Sequence, residues 1–416
     1  MFKTFCTRIA LGLLFVPITF SIVTASPLEL PRGDANTCPY PFPYSEARRS
    51  LIPRQNKNDL SFQGVQCIWS KDAALGPQAF RKTIDTSQGD KIPSTFKIAF
   101  ASDDFATLFI NGEYIATKDN WVASGTYCTL LQPFKNVIAF SVTNKPNPGG
   151  LLVAAEVTYT DGSTSQILTD ESWLTSGTSI PDGWEQLSFD DSSWASATLL
   201  GPYPNLDTGT WDNILIAESN PVSLLPAFWI WTNELKNPAE NVPVNTSRAF
   251  RHTVILPTGH TSASAEILVT ADDVYSLYMN GRFIGSGTND YRDPQRFAVD
   301  DIQIDNDGKV VVAVYAENTE PPDPTPAGVL VSLQITSKNP SSCIDCSSLT
   351  YVVTSPEWKA YPGAVPDGFE QPDFDDSDWP AAFSEGNGSS SHWGEVSDPS
   401  ETSEPRTPIS GAPSGN

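Results

Sequence analysis

Adjacent carboxylates are the residues in this sequence most able to do chemistry. Asp103-Asp104 and Asp272-Asp273 each precede an apolar run broken by Asn-Gly. Asp190-Asp191 and Asp375-Asp376 stand inside "PDGWEQLSFDDSSW" (181–194) and "PDGFEQPDFDDSDW" (366–379). Two carboxyls flanking a bond, about 5 Å or 6.5–9.5 Å apart, hydrolyse glycosides. Acidic oxygens gathered around one point hold calcium, which takes roughly six to eight of them. Acids beside Trp or Tyr hold sugar hydroxyls while the ring stacks on the sugar face. The mechanical alternative is that Asp side chains accept hydrogen bonds from nearby backbone N–H groups and turn the chain.

Neighbouring side chains on an extended strand point to opposite sides, so Asp190 and Asp191 cannot flank one bond together. The three histidines, His252, His260 and His392, have no metal-ligand spacing. The sequence contains no G-x-S-x-G, no H-E-x-x-H and no phosphate-cradling glycine loop. No catalytic residue is assigned, and the expectation is a protein that is not an enzyme.

The elements that must position these acids occur twice. The two aromatic-rich stretches lie 185 residues apart and share ten of fourteen positions. In the same order, "CIWS" (67–70) matches "WIWT" (229–232), and "AFRKTI" (79–84) matches "AFRHTV" (249–254). "ASDDFATLFINGEYIA" (101–116) matches "TADDVYSLYMNGRFIG" (270–285), and "FSVTN" (140–144) matches "VYAEN" (314–318). "GGLLVAAEVT" (149–158) matches "AGVLVSLQIT" (327–336). The chain is a tandem duplication. Alternation as in "TFKIAFASDD" has the two-residue period of half-buried strands. Asn111-Gly112 and Asn280-Gly281 are hairpin turns, where both central residues need φ > 0, and Asp161-Gly162 reads as another hairpin. The fold class is all-β: two tandem β-sandwich, jelly-roll domains. The expected organisation is a signal peptide over 1–25, a Pro-rich segment over 26–61, sandwiches over 62–218 and 219–396, and a disordered Ser/Pro/Gly/Glu tail over 397–416.

The signal peptide rests on Lys3 and Arg8 before an apolar run from Ile9 to Val23 that ends in Val23-Thr24-Ala25. That run is short of the roughly 20 residues a membrane span needs. The expected location is therefore secreted, extracellular or cell-wall associated, with no membrane insertion. Asn245-Thr246-Ser247 and Asn387-Gly388-Ser389 are glycosylation sequons that agree with this route. With 49 acidic and 25 basic residues the formal charge is −24, the wrong sign for a nucleic-acid partner. Cys343 and Cys346 lie in a Ser-rich loop and read as a local disulfide, while the pairing of Cys38, Cys67 and Cys128 is open. Arg48-Arg49 is a candidate processing site.

"DDVYSLYMNGRFIG" and "DDFATLFINGEYIA" resemble the central hairpin of galactose-binding-like jelly-roll domains, which accompany rhamnosidases and β-galactosidases as non-catalytic modules. "FDDSSW" and "FDDSDW" resemble the closing segment of those domains. The resemblance implies a lectin-like partner chemistry, a carbohydrate or glycoprotein, met by loops at one end of each sandwich. An Asp-Asp pair before such a hairpin also resembles PA14-like domains of yeast adhesins. That resemblance implies calcium as a cofactor, held by Asp103, Asp104, Asp272 and Asp273.

Trp121 and Tyr291 follow the polar clusters "TKDN" and "SGTND" after the hairpin and are the expected ligand-stacking rings. Trp69/Trp231, Trp173/Trp358 and Trp194/Trp379 recur in register and read as core. The function expected is non-catalytic carbohydrate binding. The alternatives are a structural wall or matrix protein, or a calcium-dependent adhesin; a glycoside-processing enzyme ranks below these.

Overall fold

A computed structural model describes residues 60–71, 75–86, 91–119, 121–145, 149–204, 214–216, 222–233, 241–287, 290–304, 307–319, 325–339, 347–387 and 393–415. Every regular element among them is a β-strand. No helix among them is long and apolar enough to cross a membrane.

The first copy begins with β1 (Gln66–Trp69), β2 (Gly76–Asp85), β3 (Pro93–Asp103), β4 (Phe105–Ile110) and β5 (Glu113–Lys118). It continues with β6 (Ala123–Ser124), β7 (Thr126–Thr129), β8 (Lys135–Asn144), β9 (Gly150–Tyr159) and β10 (Thr164–Leu168). Short strands follow: β11 (Leu174–Thr175), β12 (Ala195–Ser196), β13 (Thr198–Pro202) and β14 (Leu215–Ile216). The second copy opens on β15 (Phe228–Trp231), β16 (Thr246–Ile255), β17 (Ser262–Asp272), β18 (Val274–Met279) and β19 (Arg282–Ser286). It closes with β20 (Gln295–Gln303), β21 (Lys309–Asn318), β22 (Gly328–Lys338), β23 (Ser347–Val353), β24 (Lys359–Tyr361) and β25 (Phe383–Asn387).

Each copy folds into two layers. In the first, β10-β9-β3-β7 form one sheet, with β1 sharing the β10 edge of β9, and β12-β11-β2-β8-β4-β5 form the other. The second copy repeats this as β23-β22-β17-β20 against β24-β16-β21-β18-β19. Period-two alternation along β3 turns Phe96, Ile98 and Phe100 into the space between the layers, where they meet Trp69, Phe140 and Trp173. The intervening Ala99 and Ala101 face outward, beneath Cys67, Leu152 and Tyr203. Each large apolar side chain buried in this way contributes about 1.5–3 kcal/mol.

The hairpins are those the sequence predicts. Asn111 and Gly112 have φ of 53° and 88°, and Asn280 and Gly281 have 47° and 80°. Each Asn also accepts a hydrogen bond across the sheet, from the N–H of Val137 at 2.8 Å and of Val311 at 2.6 Å. Of the tryptophans that recur in register, Trp69, Trp173, Trp231 and Trp358 are buried between the layers, whereas Trp379 and the half-buried Trp194 pack on the outer face of the second layer rather than in the core.

The motif that ends each copy is a clamp around a buried arginine. The Arg81 guanidinium donates to Asp191 at 2.8 Å, to the Gln186 carbonyl at 3.2 Å and to the Trp184 carbonyl. Arg251 repeats the pattern with Asp376 at 2.7 Å, Gln371 at 3.0 Å and Phe369. The other acid of each pair turns the chain: Asp190 accepts the Ser192 N–H and Asp375 the Ser377 N–H, both at 3.0 Å.

The two copies share one sheet. Edge strand β7 of the first pairs antiparallel with edge strand β23 of the second at Thr126 and Leu349. Nearby, the Cys128 N–H donates to Ser348 at 3.1 Å, and the buried Lys118 ammonium donates to the Tyr351 carbonyl at 2.5 Å. His252 pairs with Asp119 at 3.3 Å and stacks on Trp358.

The C-terminal segment corrects the sequence expectation. Residues 397–416 were expected to be disordered, yet those described lie fixed along the second copy. The Ser403 N–H donates to the Arg296 carbonyl at 2.7 Å, Ser286 donates to Thr407 at 2.8 Å, and Tyr278 donates to Pro413 at 2.5 Å. Ile409 and Ala412 pack against the outer face of its second layer. Composition missed this because a strap needs only backbone hydrogen bonds and a few apolar anchors, not a core of its own.

Cys67 is a buried free thiol pushed up to about 12 by burial. Cys128 is disulfide-bonded to a cysteine outside the described residues. Cys343, Cys346, residues 1–59 and the side chain of Asn387 also lie outside them. Asn245 is exposed, on the turn before β16.

Candidate functional site

Each Asp-Asp pair stands where the chain leaves one layer for the other. Asp103 is the last residue of β3 and Phe105 the first of β4; Asp272 ends β17 and Val274 begins β18. The peptide bonds within both pairs are cis. The first pair lies against Lys145, just after β8, and the second against Thr319, just after β21.

One hydrogen bond is common to both. Asp104 accepts the Lys145 N–H at 2.6 Å, and Asp273 accepts the Thr319 N–H at 2.6 Å. Lys145 and Thr319 follow Asn144 and Asn318, the buried last residues of β8 and β21. The Asn318 amide is spent on the Val242 carbonyl at 2.7 Å, and its oxygen accepts the Thr325 hydroxyl at 2.9 Å. In the first copy Gly149 permits a close approach: a Cβ there would lie 2.6 Å from the Trp69 ring and 3.0 Å from the Asn144 carboxamide carbon.

The first members of the pairs differ. Asp103 is buried, and its carboxyl is pushed up to about 7. Burial is the largest cause, followed by the charge of Asp104 and a hydrogen bond with it, while the Lys145 ammonium pulls the other way. That ammonium lies 4.7 Å from the Phe105 ring centroid and pairs with Glu357 of the second copy at 2.7 Å. Asp272 instead accepts the Trp393 indole N–H at 2.7 Å. Trp393 stacks on Trp229, ring centroids 4.4 Å apart, and Tyr291 meets Trp229 edge-on at 6.2 Å. The Arg292 guanidinium lies 5.1 Å from the Tyr291 centroid and pairs with Asp290 at 3.0 Å.

The structure therefore gathers Asp272, Tyr291, Trp229 and Trp393 into one aromatic group beside an acid. Trp121, half-buried, packs against the same apolar cluster as Tyr291, the one that holds Trp229 and Trp393, and also against the outer face of the first copy's main sheet. Among the described residues no three His, Cys, Asp or Glu side chains cluster as a metal site. A cation at Asp103 and Asp104 would need its remaining oxygens from amide or backbone groups. A cation there would offset both the burial and the Asp104 charge that raise the Asp103 pKa.

Sequence reasoning missed Asn144, Lys145 and Trp393. Asn144 and Asn318 were visible as the paired last letters of "FSVTN" and "VYAEN". Trp393 in "HWGEV" (392–396) lines up with Trp211 in "TWDNI" (210–214), across a loop three residues longer in the first copy, and Trp211 lies outside the described residues.

No protein-family profile matches the chain. An α-L-rhamnosidase of Streptomyces avermitilis is 28% identical over 223 residues, which are 52% of this chain and 19% of the enzyme. The chain thus spans about a fifth of the length of that relative. Among solved structures, the lectin from Pleurotus ostreatus in complex with GalNAc is 29% identical, covering 82% of this chain and 97% of the lectin at a TM-score of 0.37. The Streptomyces avermitilis α-L-rhamnosidase complexed with L-rhamnose is 21% identical, covering 79% of this chain and 32% of the enzyme at a TM-score of 0.34.

Proposed function

We propose that the chain is a secreted, non-catalytic carbohydrate-binding protein that acts at the cell exterior or wall, and that its first copy binds through Asp103 and Asp104. The observation that carries this is an acid pair at the loop end of a sandwich whose buried member, Asp103, is held against the carboxyl of Asp104. Calcium held by Asp103 and Asp104 would supply a positive centre for sugar hydroxyls, and the chain's own part is to hold both carboxyls at one spot. The likeness to a rhamnosidase over 52% of the chain supports a sugar ligand, but it covers too little of that enzyme to carry its activity across. A glycosidase reading of Asp190-Asp191 and Asp375-Asp376 is disfavoured, because Arg81 and Arg251 hold one acid of each pair and a turn holds the other.

A glycan array with and without a chelator tests the proposal. Binding that is lost on chelation and in Asp103→Asn is the expected result. Binding that survives the chelator keeps the lectin and removes the calcium. No binding in either condition, with a folded protein, leaves the wall or matrix alternative in its place.

A further inference from the structure

The seam between the copies joins unlike edges. The first copy contributes β7, and the second contributes β23. An interface between different edges of a repeated unit is open-ended, since each added unit presents the same free edge again. After two copies the edges left over are β20, the counterpart of β7, and β10, the counterpart of β23.

The edge at β20 is covered by the chain's own C-terminal segment. The register locates the contact. Thr126 of β7 lies opposite Ala99 of β3, and Arg296 of β20 lies opposite Leu268 of β17. Ala99 and Leu268 occupy the same place in the repeat, two residues before the matched "ASDD" and "TADD" blocks. Thr126, which pairs with Leu349, therefore corresponds to Arg296, whose carbonyl accepts the Ser403 N–H. The Arg296 N–H is within 3.2 Å of the Ser403 hydroxyl, and its guanidinium donates to the Pro399 carbonyl at 2.8 Å. The strap then crosses to the second layer, where Ser286 holds Thr407 and Ile409 packs. It stands where a third copy would.

The edge at β10 has no such cover: among the described residues it pairs with β9 alone. Its Thr164, Gln166 and Leu168 are exposed. By register Thr164 matches Leu349, Gln166 matches Tyr351 and Leu168 matches Val353, so β10 offers polar side chains at two of the three places where β23 brings apolar ones to the seam. Polar edge residues weaken edge-to-edge pairing without removing its hydrogen bonds.

We propose that residues 397–415 are an intramolecular edge cap, and that the surface they cover on β20 accepts the β10 edge of a second copy of this chain. Lifting the strap converts a self-contained pair of sandwiches into a unit that adds to itself head to tail.

The test uses the full chain with Ser403→Pro and Ile409→Asp, which remove the edge hydrogen bond and the apolar anchor. Release of the strap is read by faster tryptic cleavage after Arg406, and the fold by circular dichroism. The expected result is a mass by light scattering that at least doubles as concentration rises, while the unaltered chain stays at one copy. Adding Gln166→Pro on β10 should return the mass to one copy. Adding Thr164→Leu and Gln166→Tyr should lower the concentration needed by about tenfold or more. If the double variant does not fold, Ser403→Pro alone decides. A folded, strap-released chain that remains single at every concentration overturns the proposal, as does assembly that Gln166→Pro leaves untouched.

Discussion

Asp104 and Asp273 do the same work in the two copies, each accepting the N–H that follows a buried asparagine. Their neighbours do not. Asp103 sits beside Cys67, its carboxyl raised to about 7 by burial and by Asp104. Asp272 sits where Trp229 replaces Cys67, and Trp393, stacked on that ring, gives it an indole N–H. Duplication kept the frame and changed the occupant of the site. A repeated motif therefore marks where a site is built, and a position that differs between the copies, Cys67 in one and Trp229 in the other, changes what surrounds the acid.

The largest effect falls on what the copies share. Arg81→Ala or Arg251→Ala should each cost about 3–5 kcal/mol, because each leaves a carboxylate and buried carbonyls without their partner. Equal losses in chemical denaturation are expected, and a loss in one copy alone would show that the two frames are not equivalent.

Trp393→Phe tests what differs. It keeps the ring and removes the N–H, costing about 1.5–3 kcal/mol of stability for a hydrogen bond to a charged group. With Asp272 freed, titration calorimetry should count two calcium equivalents per chain in place of one. A count unchanged at one would show that the indole does not close the second site.

Acidity separates the copies next. The folded pKa of Asp103 lies above its ordinary value, so its protonated form is favoured in the fold. That stability is complete below about pH 3.8 and lost as pH rises through about 7. A cation needs the ionised form, so calcium affinity at the first copy should fall roughly tenfold between pH 8 and pH 6. A flat profile would remove Asp103 from the ligand set.

The smallest effect is Lys145→Thr, which gives the first copy the residue of the second. The Lys145–Glu357 pair is half-exposed and worth under about 1 kcal/mol. The variant should barely move the melting temperature while raising the Asp103 pKa further, read by NMR titration of the carboxyl.

Most of the frame was legible in the sequence, since hairpins need Asn-Gly and a strand buried on one face must alternate. The acid pairs were legible too, because the repeats align on them. The donor to Asp272 was not, as Trp393 reaches it from 121 residues away and nothing in the letters says which acid its indole meets. The buried arginines lay in plain view in "AFRKTI" and "AFRHTV", but nothing in those letters says that their partners come from the closing motif. The strap escaped for a different reason: composition measures the ability to form a core, and a strap borrows one.

The shared sheet also has a consequence in time. The first copy cannot complete its β7 edge until the chain has been made through β23, as the Cys128–Ser348 contact spans 220 residues. At roughly 5–20 residues per second, that edge waits on the order of 10–45 s on a translating ribosome. The protein most exposed to mispairing is thus not the finished molecule but the half-made one.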